Sequence, residues 1–304
     1  MAPSTCNPNG FGTAQVVPQN STKGSANIKP ENAATTTLGI VIEPPASWAN
    51  GWLRGFNMSV DWYDINIVNA ITNIQGATAV PLCNAGQAYF CSLFSYDSRG
   101  YVTYYTSPSV NFGGVENTGY EFVISYRKNL AEWGLPWAVR SSTSLSGSYV
   151  DHIFVNPGTG ITGSTIDRAG ENGQNNQSTG ASEPHVRTNL NQTLDYGPAS
   201  ISLQALFVSR GVLDNTYLQY TGTTGPSTVK GVTSIDNNQV APYWKLDLSA
   251  SYMIGTHLQL FGVINNLLDA WPARSPYAVL ANYTSGAYYD KTGRAFTIGF
   301  DYKY

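Results

Sequence analysis

A chain of 304 residues has room for one large β domain or two ordinary ones, and its charge is sparse: Lys, Arg, Asp and Glu make up 12%, about half the usual soluble share, with a net charge of −3. That balance offers no electrostatic footprint for nucleic acid. No run of about 18 consecutive apolar residues occurs, which excludes a membrane-spanning helix from this sequence. Aromatic residues, 20 Tyr and 7 Trp among them, stand out instead, beside abundant Gly, Ser, Thr and Asn.

The opening "MAPSTCNPNGFG" holds neither the basic nor the apolar run of a secretory leader. Beyond it, helical periodicity is nearly absent and alternation with a period of two recurs. Thr36, Leu38, Ile40 and Ile42 share one face of a strand ending at Pro44 and Pro45. Phe56, Met58, Val60 and Trp62 alternate with Asn57, Ser59, Asp61 and Tyr63. In "LCNAGQAYFCSL", Cys83 and Cys91 have seven residues between them. They read as a disulfide closing a small loop in an oxidising compartment, or as two unpaired thiols. Cys6 has no evident partner, and His152, His185 and His257 are scattered, so no zinc site is indicated.

Further on, Tyr120, Phe122, Ile124 and Tyr126 oppose Glu121, Ser125 and Arg127. Val139, Thr143, Leu145 and Tyr149 oppose Arg140, Ser142, Ser144, Ser146 and Ser148. A weaker strand covers about 185–196, and Ile201, Leu203, Ala205 and Phe207 define the next. Trp244, Leu246, Leu248, Ala250 and Tyr252 alternate with Lys245, Asp247, Ser249 and Ser251. Residues 257–265 and 293–304 complete a set of about nine strands. The last, "GRAFTIGFDYKY", alternates without a slip to Tyr304.

Two architectures produce such alternation. A soluble sandwich buries the apolar face, whereas an outer-membrane barrel turns it to lipid and lines a wet lumen with the polar face. Strand length favours the barrel, since runs of about 10–14 residues exceed the globular mode and suit a tilted span of the bilayer. Trp62, Tyr126, Tyr149, Tyr252, Tyr302 and Tyr304 fall toward strand ends, as interfacial girdles require. The connections favour it as well. Short turns at about 44–51, 129–136, 197–198 and 255–256 alternate strictly with long polar segments at about 67–114, 152–184, 211–242 and 267–292. Short turns on one side and long loops on the other belong to outer-membrane barrels.

Six segments, in order, resemble the C-terminal part of a TonB-dependent outer-membrane receptor. They are "NIKPENAATTTLGIVIEP", "NMSVDWYDINIVNAI", "ENTGYEFVISYRKNL", "YWKLDLSASYMIG", "LQLFGVINNLLDA" and "YDKTGRAFTIGFDYKY". The resemblance implies an all-β, antiparallel transmembrane β-barrel, of which about nine strands of twenty-two are present. It also implies a terminal strand read by the barrel-assembly machinery, and Thr297, Gly299, Tyr302 and Tyr304 match that pattern. A full receptor of this kind carries a plug domain through which TonB acts, and no such segment is found in residues 1–304. Counting strands back from the end puts residue 33 on the outer side, so the expectation is a truncated piece. Residues 1–32 are then an outer-loop remnant and residues 33–304 the barrel strands with long outer loops.

No catalytic constellation stands out, and Asp97, Glu116 and Asp167 are acids without a sequence reason to be paired. An enzyme is not expected, nor a cofactor or bound metal, although the transported ligand suggested by the resemblance is a ferric chelate. Ligand contacts are expected from the outer loops, where "SYDSRGYVTYYTSPSVNFGG" offers Tyr96, Tyr101, Tyr104 and Tyr105 near Arg99. These aromatics suit stacking on a ligand and equally suit packing of the loop itself. Trp271, in "NNLLDAWP", is a weaker candidate, and residues 171–180 read as a mobile polar tip. The functional expectation is active uptake of a scarce large nutrient, by default a ferric siderophore, in the bacterial outer membrane. The competitors are a passive porin or autotransporter-type barrel, and a soluble secreted β protein that binds glycans.

Overall fold

Period-two alternation is stable only when neighbouring strands share it, and in the computed structural model they do so in chain order. Described are residues 19–45, 47–74, 76–84, 86–111, 113–134, 137–156, 165–173, 182–220, 234–274, 284 and 288–303. Nine strands form one meander: β1 (Asn32–Ile42), β2 (Phe56–Val68), β3 (Gly114–Asn129), β4 (Arg140–Asn156), β5 (Val186–Tyr196), β6 (Ala199–Val208), β7 (Tyr243–Ile254), β8 (Leu258–Asn265) and β9 (Ala295–Tyr302). Each pairs antiparallel with the next. β1 and β9 are the two edges, and every residue of β1 is exposed.

Because directly paired residues lie on the same face, the register shows how the two faces extend across strands. One row runs Leu38, Trp62, Tyr120, Tyr149 and Val186; another joins Phe207 to Trp244, and a third joins Leu260 to Phe300. The opposite face carries Asp61, Glu121, Ser148 and Arg187 in one row, and Gln204 against Asp247 in another. The apolar face is left open: Leu38 is 72% exposed and Ile298 90%. Aromatic residues bracket it. Trp244 and Tyr252 are eight positions apart on β7, about 26 Å along a strand and roughly 20 Å once tilt is allowed for.

Within this meander the register slips once. Between Thr118 and Gly119 of β3, Asp151 of β4 is bulged out, Thr118 pairing with His152 and Gly119 with Val150. A bulge of one residue exchanges the faces beyond it. Ile153 and Val155 thereby come to the polar side, joining Val150, which precedes the bulge there, and all three pack with Ala169 beneath the following loop.

Connections 43–55, 130–139, 197–198 and 255–257 lie at one end of the sheet, and 69–113, 157–185, 209–242 and 266–294 at the other. The first long one contains helices α1 (Gly76–Asn84) and α2 (Ala88–Cys91), which the periodicity does not announce. At nine and four residues they are too short to write an amphipathic pattern. A disulfide between Cys83 and Cys91 ties them together. Strand Val102–Asn111 crosses the same loop, antiparallel to Ile71–Asn73 and Phe94–Tyr96 and parallel to Gln19–Lys23. Ile74, Ala79, Leu82, Phe90, Phe94 and Tyr105 are among the residues that give this loop a core of its own.

Candidate functional site

The sequence-predicted site residues that are described do not form one cluster. At the tip of the first long loop, the Asp97 carboxylate accepts from the backbone N–H of Arg99 (2.9 Å) and Tyr101 (2.8 Å), and Gly100 closes the turn at φ +84°. Tyr96 and Arg99 are exposed there, while Tyr101 and Tyr104 are half-buried. Tyr105 belongs to the loop's interior instead. It is buried, its ring lies 5.0 Å from Phe94, and its hydroxyl donates to the Ile74 carbonyl. Burial pushes that hydroxyl's pKa up. Trp271 stands on the 266–294 connection and is 82% exposed.

The terminal-strand residues divide between faces. Thr297 faces Val263 and Gly299 faces Phe261 on the polar side, whereas Tyr302 faces Leu258 on the apolar side. The Phe261 ring covers Gly299 so closely that a Cβ there would lie 2.4 Å from its edge. Tyr304, Cys6 and residues 174–180 of the polar tip lie outside the described residues. The acids without assigned partners are accounted for separately: Glu116 Oε1 is 3.5 Å from His152 Nε2, and the Asp167 carboxylate accepts from the N–H of Ile153 and Ala169.

A second group, which the sequence reading does not single out, fastens three long loops together. Arg168 Nη1 donates to Glu171 Oε1 (2.8 Å) and to Asp214 Oδ1 (3.2 Å), and all three side chains are buried. Asn215 donates its backbone N–H to Glu171 (2.8 Å) and its amide to the carbonyls of Asp167 and Ala169. Asn238 holds the Asp214 carbonyl at 2.9 Å, and the Asn172 amide holds the Ser209 carbonyl at 2.7 Å. Burial pushes the Glu171 carboxyl up to about 6, outweighing Asn215 and Arg168. The third loop joins through apolar packing of Leu213, Val240, Tyr243 and Tyr289, and Asp290 Oδ2 meets Lys245 Nζ at 2.7 Å. That hydrogen bond holds the Asp290 carboxyl below its usual range.

Beneath these loops, on the polar face, the Arg187 guanidinium lies 5.5 Å from the Tyr288 ring centre. The Tyr288 hydroxyl donates to the Ser182 carbonyl, and its pKa is raised by burial and by the nearby Glu183. A cation held over an aromatic ring, with Asp61 and Glu121 in the same row as Arg187, is chemistry for binding and orienting a ligand. The faint sequence trace of the loop fastening is density: in a chain poor in charge, Asp167, Arg168 and Glu171 fall within five residues. Among the described residues no three His, Cys, Asp or Glu side chains converge where a metal could be held.

A long-stranded antiparallel meander, apolar on one face and polar on the other, with short turns at one end and structured loops at the other, is the wall of a transmembrane β-barrel. The family described as "TonB dependent receptor-like, beta-barrel" matches residues 4–267, and the chain belongs to it. Barrels of this family sit in the outer membrane of Gram-negative bacteria, where they serve as transporters and receptors. Solved structures agree on the fold. The ferric enterobactin receptor of Pseudomonas aeruginosa is similar at 16% identity and TM-score 0.52, over 93% of this chain and 33% of its own. The siderophore receptor PirA of Acinetobacter baumannii is similar at 14% identity and TM-score 0.52, over 92% and 33%. The FrpB iron transporter of Neisseria meningitidis is similar at 14% identity and TM-score 0.53, over 93% and 33%. The chain thus spans about a third of the length of these structures. A search of curated proteins returned no match.

Proposed function

We propose that the chain is the C-terminal barrel portion of a TonB-dependent active transporter in the outer membrane, residues 33–304 supplying strands and loops and residues 1–32 belonging to an outer loop. Its cargo is a scarce nutrient too large for passive pores, and a ferric siderophore fits best. The observation that carries this reading is the union of an open apolar band with long loops that fold into built units at one end only. A passive pore needs the band but not the units, and a soluble glycan binder needs no band. Siderophore and iron transporters among the structural relatives support an iron chelate as cargo. So does the pairing of Arg187 with Tyr288 on the polar face, since a guanidinium and a stacked ring suit an anionic aromatic ligand. Tyr96, Arg99, Tyr101, Tyr104 and Trp271 are then outer contacts, and Tyr105 supports them from within the loop. Thr297, Gly299, Tyr302 and Tyr304 present the assembly strand, and the TonB system acts through a plug domain.

Uptake in the source bacterium tests this reading. Disrupting the gene should abolish accumulation of radiolabelled iron from one siderophore class under iron limitation, and restoring the gene should recover it. Unchanged uptake from every chelate, together with loss of cobalamin or oligosaccharide uptake, would reassign the cargo. Recovery of the protein in the aqueous fraction rather than with detergent-extracted outer membrane would overturn the transporter.

A further inference from the structure

Tyr288, Tyr289 and Asp290 are consecutive, yet each holds a different neighbour. Tyr289 is buried and packs edge-on to Tyr243 at 5.3 Å, in the core shared with Val208, Leu213 and Val240. Asp290 meets Lys245 of β7 at 2.7 Å, and Lys245 Nζ also reaches Asp247 at 3.3 Å. These two residues anchor the 266–294 connection to the 209–242 connection and to the wall. Tyr288 is only half-buried. Its ring lies over the Arg187 guanidinium of β5, and its hydroxyl donates to the Ser182 carbonyl of the 157–185 connection.

Arg187 is incompletely served in this arrangement. Its Nε is closed off from solvent and has no hydrogen-bond acceptor among the described residues. The residues paired with it on β4 and β6 are Ser148 and Val208, neither of them charged. Glu121 and Asp61 continue its row two and three strands away, and Glu183 stands on the loop side, where its charge acts on Tyr288. A buried donor without an acceptor is costly, and an aromatic face returns less to a guanidinium than an anionic oxygen does. An acceptor arriving from the lumen therefore improves the site, but it reaches Nε only once the cover over the guanidinium shifts. With Tyr289 and Asp290 anchored, the part left to move is the Tyr288 side chain, and its movement pulls the hydroxyl from Ser182. An anion at Arg187 also repels Glu183, the neighbour of Ser182, so both effects part the same contact.

Resting on the transporter reading, we propose that Tyr288 is a ligand-displaced latch: an anionic oxygen of the cargo, carboxylate or catecholate, takes Arg187 and thereby unfastens residues 182–183 from the 266–294 connection. The Arg168 fastening is untouched, so the loops stay joined through 209–242 while one seam opens. By reciprocity, whatever weakens the Tyr288–Ser182 contact strengthens binding at Arg187.

Binding and amide exchange on the complete barrel protein containing this chain test the latch, with ferric citrate as the carboxylate probe and the ferric complex of 2,3-dihydroxybenzoate as the catecholate probe. Gly170 is the reporter, because its N–H donates to the Glu183 carbonyl at 2.7 Å. The probe that binds should accelerate exchange at Gly170 and across 182–185 about fivefold, the share of one hydrogen bond, and leave β7 and 211–220 unchanged. Tyr288→Phe keeps the ring and loses the hydroxyl. It should show the faster exchange without any probe and should bind the probe about fivefold more tightly. Arg187→Gln should abolish the probe's effect on exchange. Unchanged or weaker binding in Tyr288→Phe reduces Tyr288 to a ligand contact or a packing residue and overturns the latch. Binding to the unaltered protein that leaves Gly170 exchange unaltered overturns it as well, and both results leave the transporter standing. Failure of both probes to bind the unaltered protein overturns the latch and the anionic-chelate cargo together.

Discussion

Replacing Arg168 by Met should open the loops without disturbing the barrel wall. Among the described residues, Arg168 is the one cation in contact with both Glu171 and Asp214, which are 0% and 2% exposed. Without it Glu171 keeps the Asn215 N–H, and Asp214 keeps the N–H and hydroxyl of Thr216. Breaking a buried ion pair from one side costs about 3–5 kcal/mol, and two carboxylates each losing a donor place this case near the upper end. Amide exchange in 165–173 and 211–220 of the complete protein should accelerate about a thousandfold, while β5–β7 exchange as before. The pH dependence has a definite sign. Glu171 is pushed up to about 6 in the closed loops against 4.5 ordinarily. Its protonated form is the one closure favours, so its contribution is complete below pH 4.5 and is lost as pH rises through 6. That change is about 2 kcal/mol, and Glu171→Gln should flatten it. Unchanged loop exchange in Arg168→Met, or loops that tighten between pH 4.5 and 6, would refute the reasoning.

Three further outcomes follow from packing. Gly299→Leu should lower the unfolding temperature of the barrel by displacing the Phe261 ring, at about 1–3 kcal/mol; adding Phe261→Ala should recover most of it, and no recovery would mean that Gly299 matters for another reason. Cys83→Ser should destabilise the first long loop by about 2–3 kcal/mol, given a separation of eight residues. Limited proteolysis should then cut within 76–91 and spare the strands. Tyr104→Ala should weaken ligand binding about tenfold with the loop intact, whereas Tyr105→Ala should cost loop stability of about 3–5 kcal/mol; the two are separated by measuring binding and proteolysis on the same samples.

The wall was legible because its cause is local. Side chains such as Phe56, Met58, Val60 and Trp62 must alternate to face one medium, and strict alternation of turn lengths leaves little choice of topology. The bulge at Asp151 was not legible, since the sequence continues as if the register held and only Ile153 and Val155, apolar and on the same side as Val150, betray a change of face. The loop interior was half legible. Cys83 and Cys91 marked a closed loop, but the helices between Gly76 and Cys91 owe their shape to that closure and to the core around Phe90 and Phe94. Arg168, Glu171 and Asp214 were beyond reach for a simpler reason: a charge is assigned a partner by tertiary burial, and residues 168 and 214 meet only after two loops have folded.

The two edges of the sheet carry a counting rule. β1 runs from the long-loop end to the short-turn end, and so does β9. Joined directly, they would make the one parallel seam in an otherwise antiparallel wall. Strand direction is a two-colouring of the ring, and a ring of nine cannot be coloured with two alternating colours. Any antiparallel closure therefore inserts an odd number of strands between Tyr302 and Asn32, which makes the total even, as closed single-chain outer-membrane barrels are. The inserted strands must also meet Leu38, Ile40 and Ile42 at one seam and Phe296, Ile298 and Phe300 at the other with their apolar residues in step. A one-residue slip at either seam would turn the whole inserted wall inside out.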